Sequence, residues 1–203
     1  MTDEDEREGA SRVVVETRES VAVVRFNRPA ERNPLSVSTL EELDDAFSAL
    51  ISSASIRAVI FTGAGDIFAS GANIRELQSL TPEGAHEFAR RGQRLFQSIA
   101  DSRQLTIAAV NGYCMGGGLD LALSCKLRVA APRAVFAHPG ARLGIITGWG
   151  GTQRLPRLVG TARALEMFAT ARRVTAEEAL EIGLVSRLCD DALEGAFELA
   201  KNL

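Results

Sequence analysis

The chain has 203 residues, 46% of them hydrophobic, enough for one α/β domain with a substantial core or a domain with a small appendage. A formal net charge of -3 offers no basic face for phosphate neutralisation, which argues against nucleic acid as a partner. No apolar run reaches the length of a membrane span, and the acidic start MTDEDEREGA lacks the apolar stretch of a signal peptide, so a cytoplasmic protein with no membrane partner is expected.

Residues 1–12 read as a disordered acidic tail, with too little apolar content to offset chain entropy. Val13 to Thr17 and Val21 to Phe26 are β-branched runs joined by Arg18-Glu19-Ser20, the pattern of a hairpin. Leu35 to Ile51 carries Leu40, Leu43, Phe47 and Leu50 at helical spacing, with Ser36 as an N-cap. Ala58 to Thr62 predicts a short strand covered on both faces. A loop follows from Gly63 to Gly71, then a helix over Ile74 to Leu80 and a longer one from Pro82 to about Ala100. Leu105 to Val110 predicts the next strand. Asn111-Gly112 turns the chain toward Gly116, Gly117 and Gly118, which open a helix around Asp120.

Two short strands are expected at Leu127 to Ala131 and Ala134 to Ala137. A glycine-rich loop, Gly144 to Gly151, surrounds Trp149. Helices are expected over Thr152 to Leu158, Thr161 to Thr170 and Ala176 to Ile182, the last ended by Gly183. A strand at Leu184 to Leu188 and a helix from Asp191 onward complete the order. The pattern is a hairpin followed by repeated β–α units in one α/β layer, closed by a last helix from Asp191 to Leu203.

Cys114, Cys125 and Cys189 have no C-x-x-C spacing and predict buried free thiols. His86 and His138 lie far apart in the chain, so no metal site is expected. The G-x-G-x-x-G pattern fails at Gln153, and no P-loop or G-x-S-x-G elbow occurs.

Two segments share one design, an apolar strand, a small-residue turn and a helix: Phe61 to Ile74, with Ala72 after Gly71, and Ile107 to Leu121, with Gly117 after Gly116. In a parallel sheet both turns lie beyond the carboxyl ends of the strands, where two backbone N–H groups could converge on one oxygen. The other reading of these glycines is close packing of strand on helix.

The combination resembles the crotonase, or enoyl-CoA hydratase/isomerase, superfamily. The residues that carry the resemblance are Asn27-Arg28-Pro29 with Asn33-Pro34-Leu35, Phe68 to Leu77, Ala109 to Leu121, Phe136 to Pro139 with Leu143-Gly144, Gly150 to Leu155, and Ala176 to Val185. The resemblance implies an α/β spiral of repeated β-β-α units, related to the Clp-type fold, with 13–190 as its core and 191–203 as the start of a C-terminal helical region that is short or missing. It implies a homotrimer or dimer of trimers, an acyl-CoA thioester as substrate and no separate cofactor, coenzyme A being part of that substrate. By motif position Ala72 and Gly117 supply the amides that hold the thioester oxygen. Ala30, Arg32, Pro34 and Leu35 lie along the CoA, with Ser70, Asn73, Ile74, Pro139 and Gly140 also lining the site.

The chain departs from this pattern at its carboxylates. A hydratase of the family works with two glutamates flanking a water. The first belongs where Asp120 stands and the second where Gly140 stands, while the usual Gly-Ala-Asp reads Gly71-Ala72-Asn73. Asp120 is the candidate base, or else an acid complementing a helix dipole. His138 is either a replacement acid/base or a packed or surface residue. Trp149 and Tyr113 are expected in the core or the pocket wall, and Arg154 at a helix end or carboxylate. Hydration or double-bond isomerisation through a thioester enolate is the implied chemistry. The alternatives are an acyl-CoA decarboxylase or hydrolase, or a non-catalytic acyl-CoA binding protein.

Overall fold

β1 (Val13–Arg18) and β2 (Val21–Phe26) pair antiparallel from Val13↔Phe26 to Arg18↔Val21, the hairpin the sequence predicts, in a computed structural model that describes residues 11–201. Of the expected tail, residues 1–10 lie outside the described residues. Ser11 and Arg12 are tied to the Glu42 carboxylate by the Ser11 hydroxyl, the Arg12 backbone N–H and the Arg12 guanidinium.

The chain then forms β3 (Pro34–Leu35) and α1 (Val37–Ser52). Ser36 caps α1, its Oγ accepting from Thr39 N at 3.1 Å, which satisfies one of the helix's orphan donors. β4 (Ala58–Gly63) leads through β5 (Ile67–Ala69) and β6 (Gly71–Ala72) into α2 (Ile74–Gln78) and α3 (Pro82–Asp101). β7 (Leu105–Val110), β8 (Tyr113–Met115) and α4 (Gly117–Ser124) repeat the order. So do β9 (Leu127–Ala130), β10 (Val135–Ala137) and α5 (Gly151–Val159). The rest is α6 (Thr161–Thr170), β11 (Val174–Thr175), α7 (Ala176–Glu181), β12 (Arg187–Leu188) and α8 (Ala192–Ala200).

The strands assemble in the order β1-β2-β4-β7-β9-β12 in one sheet and β11-β10-β8-β5 in another, with β3 and β6 as a separate parallel pair. Each repeat therefore runs from the large sheet to the small one and on into a helix. The single layer expected from the sequence is corrected here: β5, β8 and β11 fall in stretches read as loop or turn. Strands of two or three residues are too short to show alternation. For the same reason the strand expected over Leu184 to Leu188 contracts to Arg187–Leu188, and Leu35, expected to begin a helix, pairs in β3.

The large sheet is covered on both faces. Ala22, Val24, Val59, Phe61, Ala108 and Val110 join the main core, while their neighbours Val21, Val23, Ala58, Ile60, Ile107 and Ala109 meet α8. Period-two alternation accounts for the split. On α8, Ala192, Ala196 and Ala200 recur every four residues and are small enough to bring the helix close to the sheet. Among the described residues no helix is long and apolar enough to cross a membrane.

Candidate active site

One wall of the site is made of backbone. β5 and β8 are parallel neighbours, so the turns after them emerge at the same edge. Gly71 has φ 94°, a conformation glycine adopts without cost, and a Cβ there would lie 2.8 Å from both Gly117 N and Met115 O. A Cβ on Gly117 would lie 3.4 Å from Ala72 N and would collide with the indole of Trp149. The Ala72 and Gly117 amides thus stand side by side. Gly117 is the first residue of α4, so its N–H has no intrahelical acceptor and sits at the positive end of the helix dipole.

Asn33 and Asn111 hold these turns. Asn33 accepts from Arg28 N at 2.8 Å and donates to Ile67 O at 2.7 Å, while Asn111 accepts from Gly63 N at 3.1 Å and donates to Gly65 O at 2.9 Å. Ser70 N donates to Arg32 O at 3.2 Å, and Pro34 and Leu35 pair with Gly71 and Ala72. The 28–35 loop therefore lies against the turn, with Ala30 and Arg32 exposed and Pro34 half-buried. Leu35 is a correction to the expected CoA contacts: its side chain is fully buried in the core, and only its backbone reaches the turn. Asn73 caps α2, its Oδ1 accepting from Arg75 N at 3.0 Å, and Ile74 is exposed. Pro139 lies within 4.0 Å of where a Cβ on Gly116 would be, which places the start of the 139–143 turn against the same edge.

The opposite wall is made of side chains. Asp120, in the first turn of α4, is fully buried. Its Oδ2 accepts from the Thr147 hydroxyl and, at 3.3 Å, from Trp149 N. Its Oδ1 faces the His138 Nε2 at 3.5 Å, and neither of these two buried atoms has a hydrogen-bond partner. Gly151 makes room for the carboxyl, since a Cβ there would strike Oδ1. Burial pushes the Asp120 carboxyl up to about 7, against the opposing pull of the Thr147 and Trp149 hydrogen bonds and the Arg154 charge. Burial also pushes His138 down to about 4, so both groups resist being charged. The His138 ring packs on Phe168 of α6, with centroids 4.9 Å apart.

Position 140 has no room for a side chain. A Cβ on Gly140 would come within 2.6 Å of the Ile145 carbonyl oxygen, and Ile145 N donates back to Gly140 O at 3.0 Å. The second carboxylate is therefore excluded by the path of the 140–147 loop as well as by the residue.

Most of the expected site residues gather here: Ala72, Gly117, Asp120 and His138 around the centre, with Ser70, Pro139 and Gly140 at its rim. Sequence reasoning missed Thr147 and Phe168. Nothing in the glycine-rich spacing of 144–151 singles out the threonine, because its role depends on a partner 27 positions away. Trp149 is buried between Phe88 and Phe96, at centroid distances of 5.1 and 5.6 Å, with its ring against Gly117. Tyr113 is exposed, which removes it from the core. Arg154 donates to Trp149 O at 3.1 Å and to Gln97 at 2.9 Å. Arg91 and Arg172 are engaged with Glu41 and with Glu166 and Glu178. All three cysteines are free, Cys114 and Cys125 buried and Cys189 half-buried. No cluster of metal-ligating side chains occurs among the described residues.

The sequence model of the enoyl-CoA hydratase/isomerase family matches residues 16–203. The crotonyl-CoA hydratase of Syntrophomonas wolfei is 43% identical over 177 residues, covering 87% of this chain and 68% of that protein. The short-chain-enoyl-CoA hydratase of Clostridium acetobutylicum is 39% identical, over 94% of this chain and 74% of that one. Among solved structures, Pseudomonas aeruginosa DspI superposes with a TM-score of 0.91 at 37% identity, covering 95% of this chain and 80% of that one. The enoyl-CoA hydratase of Bacillus anthracis superposes at 0.90 with 36% identity, covering 95% and 76%.

Proposed function

The chain belongs to the enoyl-CoA hydratase/isomerase family, and from that premise we propose that it acts on an acyl-CoA thioester through an enolate. In this reading the Ala72 and Gly117 amides hold the thioester oxygen while Asp120 moves the proton. One observation carries it: two turn amides stand beside each other one helical turn from a carboxyl that burial pushes up to about 7.

The amides act on the charge that develops at oxygen when C2 loses a proton. Each fixed donor aimed at such an oxyanion is worth about 3–4 kcal/mol. Asp120 is useful as a base because burial has removed the ordinary carboxylate's reluctance to take up a proton at neutral pH. The Trp149 ring beside Gly117 closes the space next to the amides and favours a short acyl chain, as in the relatives named for crotonyl- and short-chain enoyl-CoA. Ala30, Arg32 and Pro34 along the exposed rim would meet the CoA. A homotrimer or dimer of trimers belongs to the same reading, supported by the exposed Leu143, Ile146 and Leu165, and sedimentation equilibrium measures it.

Hydration and double-bond isomerisation both pass through this enolate. The Gly140 geometry favours isomerisation, because one base suffices to carry a proton between C2 and C4, whereas a carboxylate pair holding a water is absent. The test is incubation with crotonyl-CoA and with its β,γ-unsaturated isomer, following the conjugated thioester absorbance, for the wild type and Asp120→Asn. Turnover of either substrate that is lost in the variant supports the reading. Turnover unaffected by Asp120→Asn removes the role of Asp120, and tight acyl-CoA binding without turnover of any thioester leaves a binding protein.

A further inference from the structure

The pair of unpartnered buried atoms, Asp120 Oδ1 and His138 Nε2, is not explained by packing. A buried polar atom without a partner is costly, and here two face each other from different elements at 3.5 Å. At that separation the two atoms can satisfy each other directly, through one proton lying between them.

We propose that Asp120 and His138 take up a single proton as a unit, with His138 a positioning residue that accepts the O–H of Asp120 in its acid form and so fixes which carboxyl oxygen gives and takes the substrate's proton. The inference rests on the enolate chemistry proposed above for its catalytic meaning, and on geometry alone for its existence.

The two carboxyl oxygens have different neighbours. Oδ2 already accepts from the Thr147 hydroxyl and from Trp149 N, so a proton there would displace donors. Oδ1 accepts from nothing and looks at an imidazole nitrogen, so the proton belongs on Oδ1 with Nε2 as its acceptor. Position and environment keep the imidazole neutral: it is buried and packed on Phe168. The other charged or titratable groups acting on the carboxyl are Arg154 from α5 and Cys114 from β8. Burial holds the Cys114 thiol well above its ordinary value, so it stays a neutral bystander.

In the chemical step Asp120 starts ionised beside a neutral imidazole; the C2–H bond breaks and its electron pair enters the enolate, whose oxygen rests on the two amides. The proton forms the O–H of Oδ1 and is donated to Nε2 as a hydrogen bond. It returns to carbon, at C2 or C4, by the reverse movement, and the pair ends as it began. His138 thereby stabilises the acid form of Asp120 at the moment that form appears, which is the support a second carboxylate would otherwise give.

The pair itself is read without turnover. In the ligand-free full chain labelled with ¹⁵N-histidine and ¹³C-aspartate, His138 Nε2 and Asp120 Cγ are expected to titrate with one shared midpoint. The imidazole should not convert to imidazolium between pH 5 and 9, and the His138 response should vanish in Asp120→Asn. An imidazolium forming with its own midpoint, or a His138 signal that stays flat while Asp120 titrates, overturns the proposal.

Its catalytic meaning is read by solvent-deuterium incorporation at C2 of butyryl-CoA. His138→Phe should slow exchange about tenfold, the size of one lost hydrogen bond, lower the pH midpoint and leave butyryl-CoA affinity unchanged. His138→Gln, whose amide oxygen can accept the O–H, should recover part of the rate. A His138→Phe rate and midpoint equal to the wild type overturn the positioning role and leave the enolate reading intact. A linked titration in a wild type that exchanges no deuterium keeps the pair and removes the enolate reading.

Discussion

The turns at Gly71–Ala72 and Gly117 place their functional groups with backbone, whereas the segment from His138 to Gly151 places its own with side chains. The two walls of the site follow different rules. On the backbone wall the identity of a residue matters through what it lacks: a Cβ at Gly71 would sit 2.8 Å from the Gly117 amide. On the side-chain wall identity matters through what it reaches, since Asp120 is met by Thr147, Trp149, His138 and Arg154 from a loop, a turn and a helix. The departures from the pattern the sequence resembles fall on side chains, at Asn73, Asp120 and Gly140, while the glycines and small residues of the backbone wall keep to it. Amides serve any reaction that charges a thioester oxygen, while side chains decide which proton goes where.

The largest effect is expected at the centre of the side-chain wall. Asp120→Asn should reduce C2 proton exchange by about 10²–10⁴-fold, the range for loss of a general base. Its stability effect carries the opposite sign. The Asp120 carboxyl is raised to about 7 in the fold from 3.8 unfolded, so the folded state binds the proton more tightly. The wild type's relative stability is therefore full below about 4 and is lost as pH rises through about 7. The asparagine variant has no such loss, so its gain in melting temperature over wild type should be greater at pH 8 than at pH 5, as thermal denaturation at the two pH values measures. His138 loses stability in the other direction, between 6.5 and about 4 as pH falls.

On the backbone wall Gly117→Ala should cost about 10²–10³-fold in the same exchange, the size of one oxyanion donor. The added Cβ meets the Trp149 ring and crowds the Ala72 amide. Overpacking should also lower stability by about 1–3 kcal/mol. Urea denaturation separates the two contributions: a variant as stable as wild type but inactive isolates the amide. A variant that is both stable and active would show that the space beside the Gly117 amide accommodates a methyl group and that the close approach is not needed for the chemistry.

The contrast between the walls also explains what was legible in the sequence. Gly71-Ala72 and Gly116-Gly117 stand out because glycine requirements are local and survive as motifs. The long helix α1 was legible from its period and its Ser36 cap, and α3 from Pro82 at its start; the Thr81 cap of α3 is seen only in the structure. Of the small sheet only β10 was legible; β5, β8 and β11 were not, because strands of two or three residues carry no period and owe their existence to pairing with one another. Asp120 could be singled out by its place after the glycines, but Thr147 and Phe168 could not. Their contributions depend on which loop folds back over α4, a tertiary fact that no window of sequence contains. Leu35 was assigned to the ligand by motif position and proved to be core, since alternation along β3 turns its side chain inward.

Restoring the missing carboxylate sharpens the comparison. Gly140→Glu should destabilise the protein by about 1–3 kcal/mol, as a Cβ there meets the Ile145 carbonyl oxygen at 2.6 Å. It should not create hydration of crotonyl-CoA, because the loop rather than the residue alone sets the geometry. Appearance or a large increase of hydratase activity in this single variant would mean that the 140–147 loop yields easily and that the side-chain wall is a matter of one residue.

The mildest change expected to register is Thr147→Val, which removes one donor from Asp120 Oδ2 at nearly constant volume. Trp149 N and Arg154 remain to favour the carboxylate, so the base persists but ionises with more difficulty. The pH midpoint of exchange should rise by about one pH unit, since a hydrogen bond to a charged group is worth about 1.5–3 kcal/mol, part of which water or relaxation recovers. Activity near pH 7 then falls, because less of Asp120 is ionised, and returns toward the wild-type rate near pH 9. That recovery is what distinguishes a tuned base from a damaged site. If the loss at pH 7 persists unchanged at pH 9, Thr147 shapes the loop rather than the charge, and the side-chain wall would work by position alone, as the backbone wall does.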